Sequence, residues 1–329
     1  MMTRRGMLAA GLYAVTSRSS PAAESRIASV KRIWDEGPHN AFTDLIRFNS
    51  KWYCSFREAD AHVGGDGRLR VLMSDDGANW KSAVLVTEPR VDLRDPKLSI
   101  TPDGRLMMVA GGSVYEGKDF KSRQPRVTFS RDGSSWTQPR RILSEGDWLW
   151  RATWHKGAAY GVSYLGWGRE PRNGHLYTSA DGVQWEHLTQ FEVPGVSEVT
   201  LRVMPDDEMI ALARRELDTK NGWIGISKPP YKEWKWRDAG HRLGGPNFIR
   251  LPSGELCAGS RSHLGSEPKT VLARMSRESY EPVLTLPSGG DSSYPGLVWH
   301  DNLLWMSYYS SHEGKTSIYL AKVEWTAKS

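Results

Sequence analysis

The sequence predicts an all-β fold, a six-bladed β-propeller whose last blade is closed by a strand from near the N-terminus. Two observations predict this fold. A seven-residue segment of the form S-x-D-G-x-x-W occurs three times, starting at Ser74, Ser130 and Ser179. The 329 residues also include 32 Gly, 15 Trp and 12 Tyr, a composition typical of short strands joined by tight turns.

The repeated segment has the chemistry of a turn between two strands. Ser and Asp side chains hydrogen-bond the backbone of such a turn, Gly adopts a positive φ, and Trp packs beneath the loop. Strand-like runs such as residues 69–73 precede the copies, and further strands follow them. We therefore interpret these residues as fold-building rather than catalytic.

The spacing of the copies sets the number of blades. Degenerate copies begin at Ser227 and Ser276, so that successive copies lie 48 to 56 residues apart. A period of about 40–50 residues with several strands per unit indicates propeller blades. Five blades are predicted at residues 40–88, 94–143, 147–192, 196–243 and 244–285.

A sixth unit starts at Ser293 and contains only three strand-like runs before the chain ends. Residues 27–34 form an alternating run that can supply the missing fourth strand. Pairing the two ends of the chain would close the ring and remove exposed strand edges.

The N-terminal residues predict export. The run Thr3-Arg4-Arg5-Gly6-Met7-Leu8 resembles a twin-arginine motif, and a short apolar stretch and small residues near Ala22 follow it. We expect an export signal over residues 1–24, a catalytic propeller domain over residues 25–329, and a periplasmic or secreted protein.

Composition narrows the classes of function. The net charge is +6, which fits either a site for acidic ligands or a merely basic surface. The basic residues are dispersed, which argues against nucleic-acid binding, and no apolar run reaches the roughly 18 residues of a membrane span. Cys54 and Cys257 lie in apolar strand-like runs and are predicted to be buried free thiols. No metal or other cofactor is implied, and we expect a monomer.

Residues at the starts of the inner strands should converge on one central pocket, because all blades of a propeller present these starts at the same face. The predicted starts carry His39, Asn40, Arg94, Asp95, Trp150, Arg151, Glu198, Asn247 and Tyr294. The second strands return to that face, and their ends carry Arg57, Glu58, Tyr164, Arg214, Arg215, Arg261, Tyr308 and Tyr309.

The S-x-D-G-x-x-W segments resemble the Asp-boxes of the sialidase (neuraminidase) superfamily, in a form one residue shorter than the commonest one. Bacterial exo-α-sialidases of that superfamily are six-bladed propellers, so the resemblance covers nearly the whole chain after the export signal. Asp-boxes also occur in other propellers, and function must therefore be argued from the site.

The resemblance implies roles for particular residues. Glu198, before Arg214 and Arg215, resembles the glutamate that activates the nucleophile, and one of the two arginines would belong to a carboxylate clamp. Tyr294, in Ser293-Tyr294-Pro295-Gly296-Leu297, resembles the nucleophilic tyrosine. Blade 1 has an arginine, Arg57, and an acid/base aspartate is expected in the loop that follows, at Asp66 or Asp60, with His62 as a further candidate.

The chemistry of the substrate explains these residue types. A 2-keto acid sugar carries a carboxylate at the reacting carbon, which would repel a carboxylate nucleophile but not a neutral tyrosine. Arginines bind that carboxylate through two parallel hydrogen bonds. The anion-binding candidates are Arg57, Arg94, Arg151, Arg215 and Arg261.

The sequence also departs from the sialidase pattern. The first clamp arginine of the family belongs to a Phe-Arg-Ile-Pro motif, where this chain has His39-Asn40-Ala41-Phe42. The third clamp arginine should lie in residues 261–274, where Arg261, Lys269 and Arg274 compete.

Three functions are therefore considered. The first is an exo-α-sialidase-like glycoside hydrolase that removes a terminal anionic sugar from a glycan, with Trp148 or Trp150 able to stack on a sugar ring. The second is a lyase or hydrolase that acts on uronate-containing polysaccharide through His39 or His62. The third is a propeller that binds a glycan or a protein at this face without cleaving it.

Overall fold

The structure, a computed structural model, describes residues 24–165, 173–263, 265 and 267–327. The described chain folds into 24 strands, which form six four-stranded antiparallel sheets. The predicted export signal lies, except for residue 24, outside the described residues. None of the described segments is a helix with the length and apolarity of a membrane span.

Each of the first five blades uses four consecutive strands, numbered from the innermost outwards. Blades 1 to 3 consist of β2 (His39–Phe48), β3 (Lys51–Ala59), β4 (Arg68–Ser74), β5 (Lys81–Val86), β6 (Asp92–Ile100), β7 (Leu106–Glu116), β8 (Asp119–Ser130), β9 (Arg140–Arg141), β10 (Leu149–His155), β11 (Ala158–Tyr164), β12 (Asn173–Ser179) and β13 (Glu186–Pro194). Blades 4 and 5 consist of β14 (Val196–Val203), β15 (Met209–Arg215), β16 (Asn221–Ser227), β17 (Lys235–Arg242), β18 (Gly244–Arg250), β19 (Leu256–Ser262), β20 (Lys269–Met275) and β21 (Tyr280–Thr285).

Blade 6 joins the two ends of the described chain. It contains β22 (Ser292–His300), β23 (Leu303–Ser310), β24 (Ser317–Glu324) and β1 (Arg26–Trp34), in that order from the centre. The strand β1 pairs antiparallel with β24 along its whole length. The predicted closure is confirmed, and every predicted blade boundary lies within two residues of the observed strands.

The inner strands of neighbouring blades contact one another around the ring, from β2 through β6, β10, β14 and β18 to β22 and back to β2. This arrangement brings residues that are distant in sequence to one axis. The predicted six-bladed propeller is therefore confirmed.

The S-x-D-G-x-x-W segments join the third and fourth strands of blades 1 to 3, as the sequence predicts. In the first copy, Asp76 Oδ1 accepts hydrogen bonds from the backbone amides of Ala78 and Asn79, and Ser74 Oγ accepts one from Gly77 N–H. The indole of Trp80 donates to the carbonyl of Gly77. The other two copies repeat this network.

The glycine of this turn also sets the contact between blades. Gly133 has φ +78°, and a Cβ atom there would lie 2.2 Å from the ring of Tyr53 in blade 1. Gly182 approaches Met107 of blade 2 in the same way. Glycine is needed because the turn packs directly against the preceding blade.

The core fills the spaces between blades. Trp52 of blade 1 stacks on Trp305 of blade 6 with ring centroids 4.3 Å apart. Cys54 and Cys257 are buried free thiols, as predicted.

Candidate active site

A cavity of about 700 Å³ lies where the inner strands begin. Its lining includes Tyr294 from β22, Glu198 from β14, Asp95 from β6, Arg214 from β15 and Arg261 from β19. Side chains of blades 2, 4, 5 and 6 thus meet in one place, as expected for residues at equivalent ends of propeller strands.

A recurrent irregularity positions these residues. In every blade the pairing between the first and second strands shifts register close to the start of the inner strand. The shifted segments contain Phe42, Asp95, Trp150, Glu198, Gly245 and Tyr294. Such bulges redirect side chains that the regular alternation of a strand would place elsewhere.

The bulges also contain strained backbone. Asp95 and Tyr294 have positive φ values of 51° and 54°, which are uncommon for residues other than glycine. Strain of this kind costs about 1–3 kcal/mol per residue and is concentrated at functional sites.

Tyr294, Glu198 and Arg214 form a hydrogen-bonded triangle in the cavity. The phenol of Tyr294 donates to Glu198 Oε1 at 2.6 Å. Arg214 Nη1 donates to the same carboxylate oxygen at 2.9 Å and to the phenol oxygen at 3.1 Å. The second carboxylate oxygen of Glu198 accepts from Gly245 N–H at 2.7 Å. Glu198 is therefore held so that it can take the Tyr294 proton.

The charges around this triangle set its protonation. Burial and the negative charge of Glu198 raise the pKa of Tyr294 well above its usual value. Burial also acts to raise the pKa of Glu198, but Arg214, Tyr294 and the Gly245 amide outweigh it and hold that pKa below its usual value. At neutral pH the pair is a neutral phenol beside a carboxylate.

The cavity has an excess of positive charge. Its lining carries the cationic side chains Arg94, Lys118, Arg123, Arg214 and Arg261 and the carboxyl groups Asp95, Glu198 and Glu216. Burial disfavours the charged form of Arg261, but neighbouring acidic groups, including the Tyr309 and Tyr294 hydroxyls, raise its pKa. An anionic ligand fits this lining better than a neutral one.

Asp95 lies in the wall of the cavity beside Arg94. Its Oδ1 is buried and has no hydrogen-bond partner among the described residues. Burial raises the pKa of Asp95, against the opposing charges of Arg94 and Lys97. This carboxyl group is placed to contact a ligand in the cavity.

A second polar cluster borders the cavity on the side of blades 1 and 6. His62 lines the cavity, and its Nδ1 donates to Asp291 Oδ2 at 2.6 Å. His39 Nε2 lies 2.9 Å from the same oxygen, and the Tyr309 hydroxyl donates to Asp291 Oδ1 at 2.9 Å. Arg261 in turn donates to the Tyr309 hydroxyl at 2.9 Å.

The same cluster is the group of described residues that could hold a metal ion. The ligand atoms of His39, His62 and Asp291 lie within 4.8 Å of one another. Two imidazoles and one carboxylate suit zinc. In the structure both imidazoles hydrogen-bond to the Asp291 carboxylate, and the absence of a cofactor stays a prediction.

Several predicted residues lie outside the cavity and make structural contacts. Arg57 is fully buried, and its Nε donates to Asp92 Oδ1 at 2.7 Å. Glu58 accepts hydrogen bonds from Arg70 and from the Trp34 indole. Arg57 therefore joins blade 1 to blade 2 through Asp92, and Glu58 joins blade 1 to blade 6 through Trp34, rather than facing a ligand.

The expected aspartates of blade 1 also lie elsewhere. Asp60 and Asp66 line a separate cavity of about 360 Å³ with Arg68 and Glu88. The loop turns them away because Arg57 holds its backbone, donating to the carbonyls of Ala61 at 2.6 Å and Gly64 at 3.1 Å. This placement corrects the expectation that either aspartate faces Tyr294.

The remaining predicted residues are divided between the cavity and its surroundings. Of the two adjacent arginines, Arg214 faces the cavity, whereas Arg215 donates to the Pro194 carbonyl and lies over Trp223. The pairs of Arg151 with Asp44 and of Asn247 with Arg202 are buried below the cavity lining.

The structure also shows which of the aromatic residues, and which candidate for the third clamp arginine, line the cavity. Trp150 is buried beneath Tyr294, with ring centroids 5.6 Å apart, while Trp148 and Tyr164 line the cavity. Arg261 also lines the cavity, whereas Arg274 pairs with Glu255 and Lys269 with Glu267.

Sequence reasoning missed Asp291 and Glu216. Asp291 immediately precedes β22, and Glu216 immediately follows β15. Both are carboxylates at strand ends on the cavity face, and extending the search one residue beyond each predicted strand would have found Glu216.

No family model matches the sequence, and no curated protein matches it. Solved structures do match the fold. A protein of unknown function from Dyadobacter fermentans is 20% identical, with a TM-score of 0.81 over 91% of this chain and 99% of the other. Trypanosoma rangeli sialidase in complex with the inhibitor DANA is 13% identical, with a TM-score of 0.71 over 92% of this chain and 60% of the sialidase.

An α-L-arabinofuranosidase of Fusarium graminearum in complex with arabinobiose is 15% identical, with a TM-score of 0.67 over 92% of this chain and 98% of the other. At these identities the likenesses show the fold. The chain has the sialidase-like six-bladed propeller fold, as the repeated turns predict.

Proposed function

We propose that this protein is a glycoside hydrolase that removes a terminal anionic, sialic-acid-like sugar from a glycan. The observation that carries the proposal is the hydrogen bond from the Tyr294 phenol to Glu198 at 2.6 Å, inside a cavity with more cations than carboxylates. The sialidase and the arabinofuranosidase that share the fold support a glycosidase.

The arrangement suits a substrate with a carboxylate at its anomeric carbon. Arg94, Arg214 and Arg261 surround the space above Tyr294 and would bind that carboxylate. Glu198 would accept the phenol proton as Tyr294 Oη bonds to the anomeric carbon and the glycosidic bond breaks. Water would then attack the anomeric carbon, and the bond to Tyr294 Oη would break as Glu198 returns the proton to the phenol, which releases the sugar.

Two variants test this mechanism directly. Tyr294→Phe and Glu198→Gln remove the nucleophile and its base, and we expect each to lower kcat on an aryl sialoside by about 10³-fold or more. Tyr308→Phe is the matched control, because the Tyr308 hydroxyl contacts the Pro287 carbonyl and lies outside the cavity lining. Full activity in both site variants would exclude a tyrosine nucleophile.

A uronate-cleaving enzyme is the second candidate, and the position of His62 in the cavity favours it. Uronate oligosaccharides assayed beside sialosides separate the two, since a lyase forms a new C=C bond that absorbs ultraviolet light. We propose further that the protein acts outside the cytoplasm, because Arg4 and Arg5 lie in a run that resembles a twin-arginine export motif. If the protein binds a glycan but cleaves none of the glycans tested, it is instead a non-enzymatic binding module.

A further inference from the structure

The cavity lacks the aspartate that was expected to protonate the leaving group. Asp60 and Asp66 line the separate cavity of blade 1. Among the carboxyl groups of the cavity, Glu198 is engaged by Tyr294, and Glu216 is paired with Arg214. Asp95 and His62 remain as groups of the lining that can donate a proton to the departing oxygen.

His62 has the required exposure and orientation. Its side chain is 46% exposed and lines the cavity. The hydrogen bond from Nδ1 to Asp291 leaves Nε2, on the opposite edge of the ring, as the nitrogen that can exchange a proton with a ligand. Asp95, the other candidate, is as deeply buried as Tyr294 and has no described partner that orients it through Oδ1, so the experiment below includes Asp95→Asn.

Asp291 orients the imidazole of His62. Its carboxylate accepts hydrogen bonds from His62, His39 and Tyr309, and Arg261 lies 3.7 Å from Oδ1. Burial acts to raise the pKa of Asp291, but the hydrogen bonds from His39 and His62 outweigh it and hold that pKa well below its usual value. An ionised Asp291 accepts the hydrogen bond from Nδ1 and so fixes the orientation and the tautomer of His62.

Hydrogen bonds from Arg57 hold the loop that carries His62 in place. Arg57 donates to the carbonyls of Ala61 and Gly64, which flank His62 on both sides. The imidazole also packs edge-on against Phe42, with ring centroids 5.2 Å apart, and Phe42 packs against Tyr294 at 5.0 Å. His62 and Tyr294 thus both contact the ring of Phe42.

We propose that His62 is the general acid/base of the hydrolysis and that Asp291 is its positioning residue, an inference that rests on the proposed function. Protonated His62 gives the Nε2 proton to the glycosidic oxygen as the bond from that oxygen to the anomeric carbon breaks. Neutral His62 then takes a proton from the water that attacks the anomeric carbon and displaces Tyr294.

The dependence on the leaving group tests the role of His62. An aryl leaving group departs without a proton, whereas an oligosaccharide needs one. We expect His62→Gln to lower kcat/KM about 10²–10⁴-fold on an oligosaccharide substrate but less than about 10-fold on the aryl glycoside of the same sugar. His155→Gln is the matched control, because His155 also bonds to an aspartate, Asp207, outside the cavity lining.

A comparison of leaving groups also tests the role of Asp291. We expect Asp291→Asn to lower kcat/KM more on the oligosaccharide substrate than on the aryl glycoside, because the side chain no longer holds Nδ1 of His62 as a hydrogen-bond donor. Equal losses on both substrates, which a merely structural residue would give, would overturn the positioning role.

Other outcomes would overturn the assignment of His62. Equal losses on both substrates would do so, as would a leaving-group dependence found in Asp95→Asn instead. One equivalent of zinc in the purified protein, with activity lost to a chelator, would make His39, His62 and Asp291 metal ligands. Should Tyr294→Phe stay active while His62→Gln keeps its leaving-group dependence, the tyrosine mechanism fails and the inference about His62 stands.

Discussion

Gly245 is the residue whose substitution most directly tests the geometry of the nucleophile pair. It has φ +59°, its N–H donates to Glu198, and a Cβ atom there would lie 2.5 Å from Tyr294 Cγ. Gly245→Ala therefore perturbs both partners without removing either side chain.

The expected size of the effect follows from these distances. Carbon atoms approach to about 3.5–4.0 Å, so the Tyr294 ring must move by roughly 1 Å. The phenol would then lie about 3.6 Å from Glu198 Oε1, beyond hydrogen-bond reach. A displacement of that size costs about 10²-fold in rate. The left-handed backbone adds about 1–2 kcal/mol to the loss of stability.

The assay compares kcat on an aryl sialoside with the free energy of unfolding in urea. Gly157→Ala is the matched control, because Gly157 has φ +83° and open space around it, in the turn between β10 and β11. Both variants should lose about 1–2 kcal/mol through the backbone, but only Gly245→Ala should lose activity. Equal activity of the two variants would refute the claim that Gly245 sets the position of Tyr294.

Two further predictions concern buried charges. Arg57→Met should destabilise the fold by about 3 kcal/mol in urea unfolding, because Asp92 is fully buried and loses its main partner. Arg68→Met is the control and should cost less than about 1 kcal/mol, because Arg68 is 38% exposed and Glu58 keeps its hydrogen bonds to Arg70 and Trp34. Burial lowers the pKa of Lys97 from its usual 10.5 to about 8, so between these pH values the unfolded chain holds a proton that the folded protein has lost. Wild type should therefore gain about 3 kcal/mol relative to Lys97→Met as the pH rises through that range, and a difference that does not change with pH would contradict the buried ammonium.

The sequence by itself determined the architecture. The S-x-D-G-x-x-W turns lie between the third and fourth strands of three blades, and the spacing of their copies predicts the remaining blades. Closure by residues 27–34 followed from a sixth unit that was one strand short. Turn chemistry and strand alternation are local, so they can be read from neighbouring residues alone.

The sequence also placed the central residues of the site. Tyr294 and Glu198 were identified because both stand at starts of inner strands, which a propeller brings to one face. Their 2.6 Å hydrogen bond joins residues 96 positions apart. The repeat implies that they approach each other, but not that they bond.

Only the tertiary structure decided which side chains face the cavity. The register shift near the start of each inner strand lies at Asp95, Glu198 and Tyr294. Outside the inner strands, Arg214 rather than Arg215 and His62 rather than Asp66 face the ligand space. Asp291 meets His62 across 229 positions of sequence. Bulges and contacts between blades depend on how whole sheets pack, and no local pattern encodes them.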